Sequence, residues 1–260
     1  MKRFPLLSRL LGSLICGAAL LQGNVAIADD DAPARTVLKV AVYHDFAPFS
    51  SNRQKPQGID VEIAQALARK MKLPLQLLPF DAGEELGDDL RNMVWKGHYL
   101  GYGPADVMLH VPLDPKLSAD TPQVTFFGPY YRETIMLGID TRRLETVVNL
   151  SDLVGRPLCA AVGEAGAAAL FGASGGKLVP QVRLEKELET CAKLMIEGKV
   201  DAIAARRAEL ESFLAPMGKD LRLVAIESPV IPPAGWRVGM AIKKGNDAFG
   251  EQLARALAEL

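Results

Sequence analysis

The hydrophobic pattern opens at Leu38-Lys39-Val40-Ala41-Val42, where alternation gives way to an apolar run, as in a strand entering a core. The strand predicted there stops in an aromatic, proline-containing loop, Tyr43 to Phe49. A helix is predicted next, with Asp60 as N-cap, Glu62 in the first turn and an apolar face of Ile59, Ile63, Leu67 and Met71. Leu73–Leu78 reads as a second strand and 84–95 as a short helix with Leu86, Leu90, Met93 and Val94 inward. A glycine-aromatic loop, 96–104, precedes a third strand at 105–109. Further on, a turn at 151–155 leads to a small-residue strand at 158–162, a break at Gly163-Glu164-Ala165-Gly166, and a helix from Ala167. A helix at 185–197 stops at Gly198, and a strand at 200–204 and a helix at 207–214 follow. A connector with Pro229, Pro232 and Pro233 leads to a last strand, Val238–Ile242. The final helix, capped by Asn246, carries Phe249, Leu253 and Leu257 and meets no stop signal, which leaves open whether Leu260 is the natural end.

Strands alternating with helices predict α/β units with mostly parallel pairing. Two such blocks emerge, about 36–136 and 140–235, with a returning strand and helix. In open α/β sheets ligands bind outside the carboxyl ends of strands, which makes Tyr43, His44, Asp45 and Phe49 candidate pocket residues. The alternative is a solvated loop with a packed Phe. His110 and Val111 occupy the next strand end, and Tyr130 offers an apolar body with a polar tip. The Gly163–Gly166 break suits an anion at exposed N–H groups, or is a tight turn.

Composition narrows the setting. The 260 residues are 49% hydrophobic and 23% charged, ordinary for a globular protein. The first 28 residues differ: a basic start (Lys2, Arg3, Arg9), a short apolar run Leu10–Leu21, and Ala26-Ile27-Ala28 as a cleavage site. This predicts a secretory signal, cleaved after Ala28. Ile15 before Cys16 argues against lipid attachment. Loss of the signal leaves 27 of the 30 basic residues against 31 acidic ones, a net charge of −4. With no basic stripe, nucleic acid is not an expected partner. No second long apolar run follows, so the remainder is expected to be soluble. Cys159 and Cys191 remain as either a disulfide or two buried thiols. His44, His98 and His110 match no metal-ligand spacing, and G-x-S-x-G is absent, so neither a metal, a cofactor nor a serine hydrolase is expected.

The ordered segments VAVYHDFAPFS, QGIDVEIAQALARKM, PADVML, FFGPYY, NLSDLVGRPLCAAVGE, EGKVDAIAAR and VGMAIKKGNDAFGEQLARAL together resemble the amino-acid-type (family 3) periplasmic solute-binding proteins. The resemblance covers nearly all the chain after residue 28. It implies a two-lobe α/β fold, each lobe a mostly parallel sheet flanked by helices, with a ligand cleft between them that closes by a hinge. The implied division is 1–28 signal peptide, 29–137 plus 238–260 as one lobe, and 138–237 as the other, with crossings near Gly138 and Val238. It also implies a periplasmic, monomeric receptor feeding an ABC-type transporter permease, and it turns Gly163 and Glu164 toward the cleft. Two departures bear on the ligand. The Arg that grips an α-carboxylate in such proteins has no counterpart in His110–Lys116, and Arg206 stands where they carry the acid that holds the ammonium. That charge reversal points away from an ordinary α-amino acid, toward an anionic or neutral ligand or none. The segment GHYLGYGPADVMLHVPLDP with PYYRET also resembles a subgroup that accompanies periplasmic quinoprotein (PQQ-dependent) alcohol dehydrogenases. It implies instead an accessory protein docking a dehydrogenase or cytochrome, with Trp95, Tyr99 and Tyr102 exposed. A third possibility is a dehydratase-like lyase using Asp45, Glu164 and His110 for acid–base chemistry.

Overall fold

The computed structural model describes residues 35–51, 55–145, 147, 149–232 and 234–260. The signal sequence and its cleavage site lie outside them. The elements are β1 (Leu38–Tyr43), β2 (Asp45–Phe46), β3 (Ser50–Ser51), α1 (Ile59–Met71), β4 (Leu75–Phe80), α2 (Leu86–Leu90), β5 (Val107–Pro112), α3 (Pro115–Asp120), β6 (Val124–Glu133) and β7 (Ile135–Asp140). After them come β8 (Leu158–Ala161), α4 (Ala165–Gly172), β9 (Val182–Glu185), α5 (Leu188–Ile196), β10 (Ala202–Arg206), α6 (Arg207–Phe213), β11 (Leu221–Ala225), β12 (Trp236–Lys243) and α7 (Asp247–Ala258). They form two five-stranded sheets, ordered β4-β1-β5-β12-β6 and β11-β7-β10-β8-β9, beside a two-stranded β2–β3 hairpin.

In each sheet four strands run one way and a single strand, β12 or β7, runs against them. The carboxyl ends of β1, β5 and β6 in the first sheet, and of β8 and β10 in the second, deliver the residues that line the space between the sheets. The chain leaves the first sheet at Thr134, a single residue between β6 and β7, while Gly138 sits mid-strand in β7. It returns through 226–235, a ten-residue segment that includes the proline connector.

The first sheet packs Leu38, Val40, Val42, Leu109 and Met240 against Leu67 of α1 and Leu253 of α7. The second sheet is covered on one side by α4 and on the other by α5 and α6. Helix α4 lies close on β10 because Gly166 has no Cβ: one placed there would meet the Ala204 carbonyl oxygen at 2.0 Å.

Several local expectations shift. The N-cap of α1 is Gly58, at φ 118°, rather than Asp60. Asp60 is the second helical residue, buried on the face it shares with Ala64 and Leu67, while Ile59 turns partly to solvent. Strand β6 escaped the sequence reading because Gly128 and Pro129 interrupt it. It is an edge strand with a register shift opposite β12, a position where proline is tolerated. The helix expected over 84–95 is five residues of α-helix continued by a π turn, Arg91–Trp95. Among the described residues, no helix is long and apolar enough to cross a membrane.

Cys159 on β8 and Cys191 on α5 are joined in a disulfide, with Cα atoms 5.7 Å apart across 32 residues of sequence. Closing a loop of that length restricts the unfolded chain by about 3–4 kcal/mol in the chain-entropy account. Replacing both cysteines by alanine is expected to lower stability by about that much, and added reductant to move only the parent protein. Chemical denaturation of both proteins with and without dithiothreitol checks this.

Candidate functional site

A cavity of about 700 Å³ opens between the carboxyl ends of the two sheets. It lies within the size range of small-molecule pockets. Of the residues expected to line a pocket, Tyr43, His44, Asp45, His110, Glu164 and Arg206 border it. Four do not. Phe49 is fully buried, packed against the rings of Phe46, His110 and Tyr131. Val111 is buried in the core with Met108 and Val94, because β5 points alternate side chains away from the cavity. Tyr130 directs its hydroxyl to Asp60 and packs on the core behind the cavity. Gly163 is exposed at the turn before α4, at φ 77°.

His110 owes its position to an irregularity in β5. Leu109 and His110 lie opposite Met240 alone, a bulge in the pairing with β12, and bulges re-aim side chains next to sites. His110 itself adopts φ 58°, which costs a non-glycine residue about 1–2 kcal/mol. The imidazole is held on both sides, Nδ1 at 3.1 Å from Asp60 Oδ2 and Nε2 at 3.4 Å from Glu133 Oε2. Its backbone N–H donates to the Tyr130 hydroxyl at 2.7 Å, and that hydroxyl donates to Asp60 Oδ1 at 2.7 Å. With both ring nitrogens engaged, His110 offers neither as a free base to the cavity, which weakens the acid–base reading of this residue. Burial opposes a charged imidazole, but the hydrogen bonds to Asp60 and Glu133 and their charges outweigh it, so the His110 pKa is raised.

Arg206, at the end of β10, meets three carboxylates: Glu164 at 2.8 Å, Glu209 at 3.3 Å and Glu133 at 3.7 Å. Burial opposes its charge, and Glu209, Glu164 and Glu133 outweigh burial, leaving its pKa raised. Burial in turn pushes the Glu209 carboxyl up, against the pull of Arg206. The Arg206 guanidinium also sits 5.1 Å from the centre of the Phe46 ring. Its charge is therefore compensated within the protein. The step from charge reversal at Arg206 to an anionic ligand loses its ground. Glu164 is the N-cap of α4 and makes no side-chain capping bond. Its carboxylate already places a negative charge at the glycine turn, which disfavours an external anion there and leaves the tight turn.

The cavity also recruits residues the sequence did not single out: Phe46, Asp81, Asp89, Asp114, Glu133 and Trp236. Asp89 accepts from the Tyr43 hydroxyl at 3.0 Å and from the Gly83 N–H at 2.8 Å. Burial, followed by the Asp89 charge, raises the Tyr43 pKa and keeps it a hydrogen-bond donor. Glu133 and Asp60 carried one signal in the sequence, a carboxylate on an otherwise core-facing position. That signal becomes visible only once the frame of β6 and α1 is known. A smaller compartment of about 190 Å³ continues past Arg206 and Glu164, bordered by Lys186, Glu189 and Phe213. Elsewhere, Tyr99, Leu100 and Tyr102 are exposed, but Trp95 is half-buried against the first lobe's core. Among the described residues no cluster of three or more His, Cys, Asp or Glu side chains could hold a metal ion.

The folded state holds the His110 proton more tightly than an unfolded chain with a pKa near 6.5. Its stabilising contribution is thus complete below that value and is lost as pH rises through the higher folded-state pKa. Asparagine tolerates the left-handed backbone and removes the titration. The excess melting temperature of the parent over His110→Asn is expected to shrink as pH rises from below 6.5 through the raised folded-state pKa, with Asp60, Glu133, Tyr130 and Arg206 unchanged around it. Thermal melts of the two proteins across that range measure it.

No family model and no curated protein sequence matches the chain. Solved structures do. An ancestral cationic amino acid solute binding protein matches with 17% identity and a TM-score of 0.66, over 86% of this chain and 89% of that one. The second substrate binding domain of a putative amino acid ABC transporter from Streptococcus pneumoniae matches with 20% identity and a TM-score of 0.63, over 86% and 93%. A histidine kinase sensor domain with similarity to periplasmic binding proteins matches with 20% identity and a TM-score of 0.57, over 86% and 90%. At these identities the likeness concerns the fold, and the fold is the two-lobe α/β architecture of the periplasmic binding proteins.

Proposed function

We propose that the chain is a periplasmic solute-binding protein that captures a small organic ligand, other than an ordinary α-amino acid, and presents it to an ABC-type transporter. The observation that carries this reading is the cavity at the facing strand ends, with convergent polar groups and Asp114 just beyond β5. A carboxylate there repels an α-carboxylate rather than gripping it. Support for an exported receptor comes from the signal-like first 28 residues and from the Cys159–Cys191 disulfide, a bond favoured in oxidising compartments. The similarity to solute binding proteins and to a transporter's substrate binding domain points the same way.

A bound solute at about 100 times its Kd stabilises the folded state by about 2.7 kcal/mol, or roughly 5–10 °C in Tm for a chain of this size. A thermal-shift panel of the twenty amino acids, small carboxylates, alcohols and amines is expected to give such a shift with a solute outside the amino acids. A shift confined to ordinary amino acids would overturn the ligand class. No shift with any solute would overturn the receptor reading.

One observation favours a second reading. The 97–104 loop carries Tyr99 at 86% and Leu100 at 68% exposure, with Tyr102 stacked on His98 at 4.1 Å. Exposed aromatic and apolar side chains grouped on one loop suit a protein interface. On this reading the loop docks a periplasmic quinoprotein dehydrogenase or its cytochrome. The double variant Tyr99→Ser/Leu100→Ser is then expected to keep the parent Tm but lose co-purification with a PQQ-dependent alcohol dehydrogenase. Unchanged co-purification removes the loop from consideration.

A further inference from the structure

We infer that the solute is an organic cation and that the Glu133 carboxylate anchors it. This rests on the reading of the cleft as a solute site and names the class of solute.

The charges around the cavity set the class. Among the described residues, six carboxylates border it, Asp45, Asp81, Asp89, Asp114, Glu133 and Glu164, against one guanidinium, that of Arg206. The histidines His44 and His110 are the remaining described side chains there that can become cationic. Arg206 is within 4 Å of Glu133, Glu164 and Glu209, so it has little charge left to offer a ligand. His110 is enclosed by Asp60 and Glu133 in the same way. An anionic solute would enter a field of its own sign, in a site where low dielectric enlarges every such repulsion. A cation would meet more groups of opposite sign than of its own.

One atom marks the anchor. Glu133 is 1% exposed, ends β6, and is followed only by Thr134 before the chain enters the second sheet. Its Oε2 faces both His110 Nε2 and Arg206 Nε, whereas Oε1 is buried and has no hydrogen-bond partner among the described residues. A buried carboxylate oxygen without a donor is costly, and folded proteins supply one from protein, water or ligand. Glu133 itself borders the cavity, so a small turn of its carboxylate toward that space would present Oε1 to a ligand N–H. An ammonium or guanidinium group would provide that donor. Trp236 and Phe46 border the same cavity, and aromatic faces favour organic cations over polyols or carboxylates.

Three probes share a four-carbon chain and differ in their ends: 1,4-diaminobutane, 1,4-butanediol and succinate. Calorimetric titration of the full-length protein at neutral pH and low salt is expected to show the diamine binding at least about tenfold more tightly than the other two, with Glu133→Gln weakening it by about tenfold or more. Asp114→Asn, outside the buried network, is expected to weaken it several-fold, and high salt to weaken it further. It decides the matter should Glu133→Gln fail to fold by circular dichroism. Preference for succinate or the diol overturns the cation while leaving a solute receptor standing. Diamine binding unchanged in folded Glu133→Gln overturns the anchor and assigns Oε1 to water. No response to any of the three overturns the inference, and the wider solute panel then decides whether the receptor reading falls with it.

Discussion

Arg206 brings a permanent charge into a site where its side chain is 19% exposed, and a charge so placed needs compensation within a few ångströms. The compensating carboxylates come from both sheets: Glu164 and Glu209 from the second, Glu133 from the first. Much of the cleft follows from this requirement. Glu133 must lie at the end of β6 to reach across. His110 must bulge out of β5 to meet Glu133. Asp60 must turn inward on α1 to hold the other side of the imidazole, with Tyr130 bridging it to the His110 backbone. A chain of ionic and hydrogen-bonded contacts thus runs from helix α1 through the first sheet to helix α6.

The α/β alternation, the strand ends as the place to look, and several helices were legible because hydrophobic spacing reports directly on burial. What was not legible has a common cause. Asp60 reads as a helix cap because a carboxylate after a glycine, at the start of an apolar periodicity, is usually one. In the structure Gly58 takes that role and Asp60 occupies a core-facing position. Glu133 ends a strand that Gly128 and Pro129 disguise. Val111 and His110 are neighbours, yet only one faces the cavity, and the bulge that decides which leaves no mark in periodicity. Polar groups satisfied by distant partners, such as Asp60 with His110 fifty residues away, carry no local pattern.

The charge of a single aligned position is an incomplete measure of the field in a cavity. Arg206 taken alone suggests an anion. Arg206 with Glu133, Glu164 and Glu209 around it is part of an acidic site. The useful quantity is the sum over the cavity wall, and that sum needs the fold, because its contributors span from Asp45 to Arg206 and come from both sheets. Fold likeness leaves the matter equally open, since the same architecture serves binding proteins and a kinase sensor domain.

The two passages between the sheets are unequal, one residue at Thr134 and ten at 226–235. A short link fixes a point and a long one only limits a distance, so any rigid rotation of one lobe against the other has its axis close to Thr134. Displacement grows with distance from that axis. Glu133, directly beside it, would travel least, while the rim of the cleft would sweep through the largest arc. The group proposed to hold the solute would thus sit at the fulcrum of any such rotation, where a small rearrangement of charge would be geared up into a large movement of the rim.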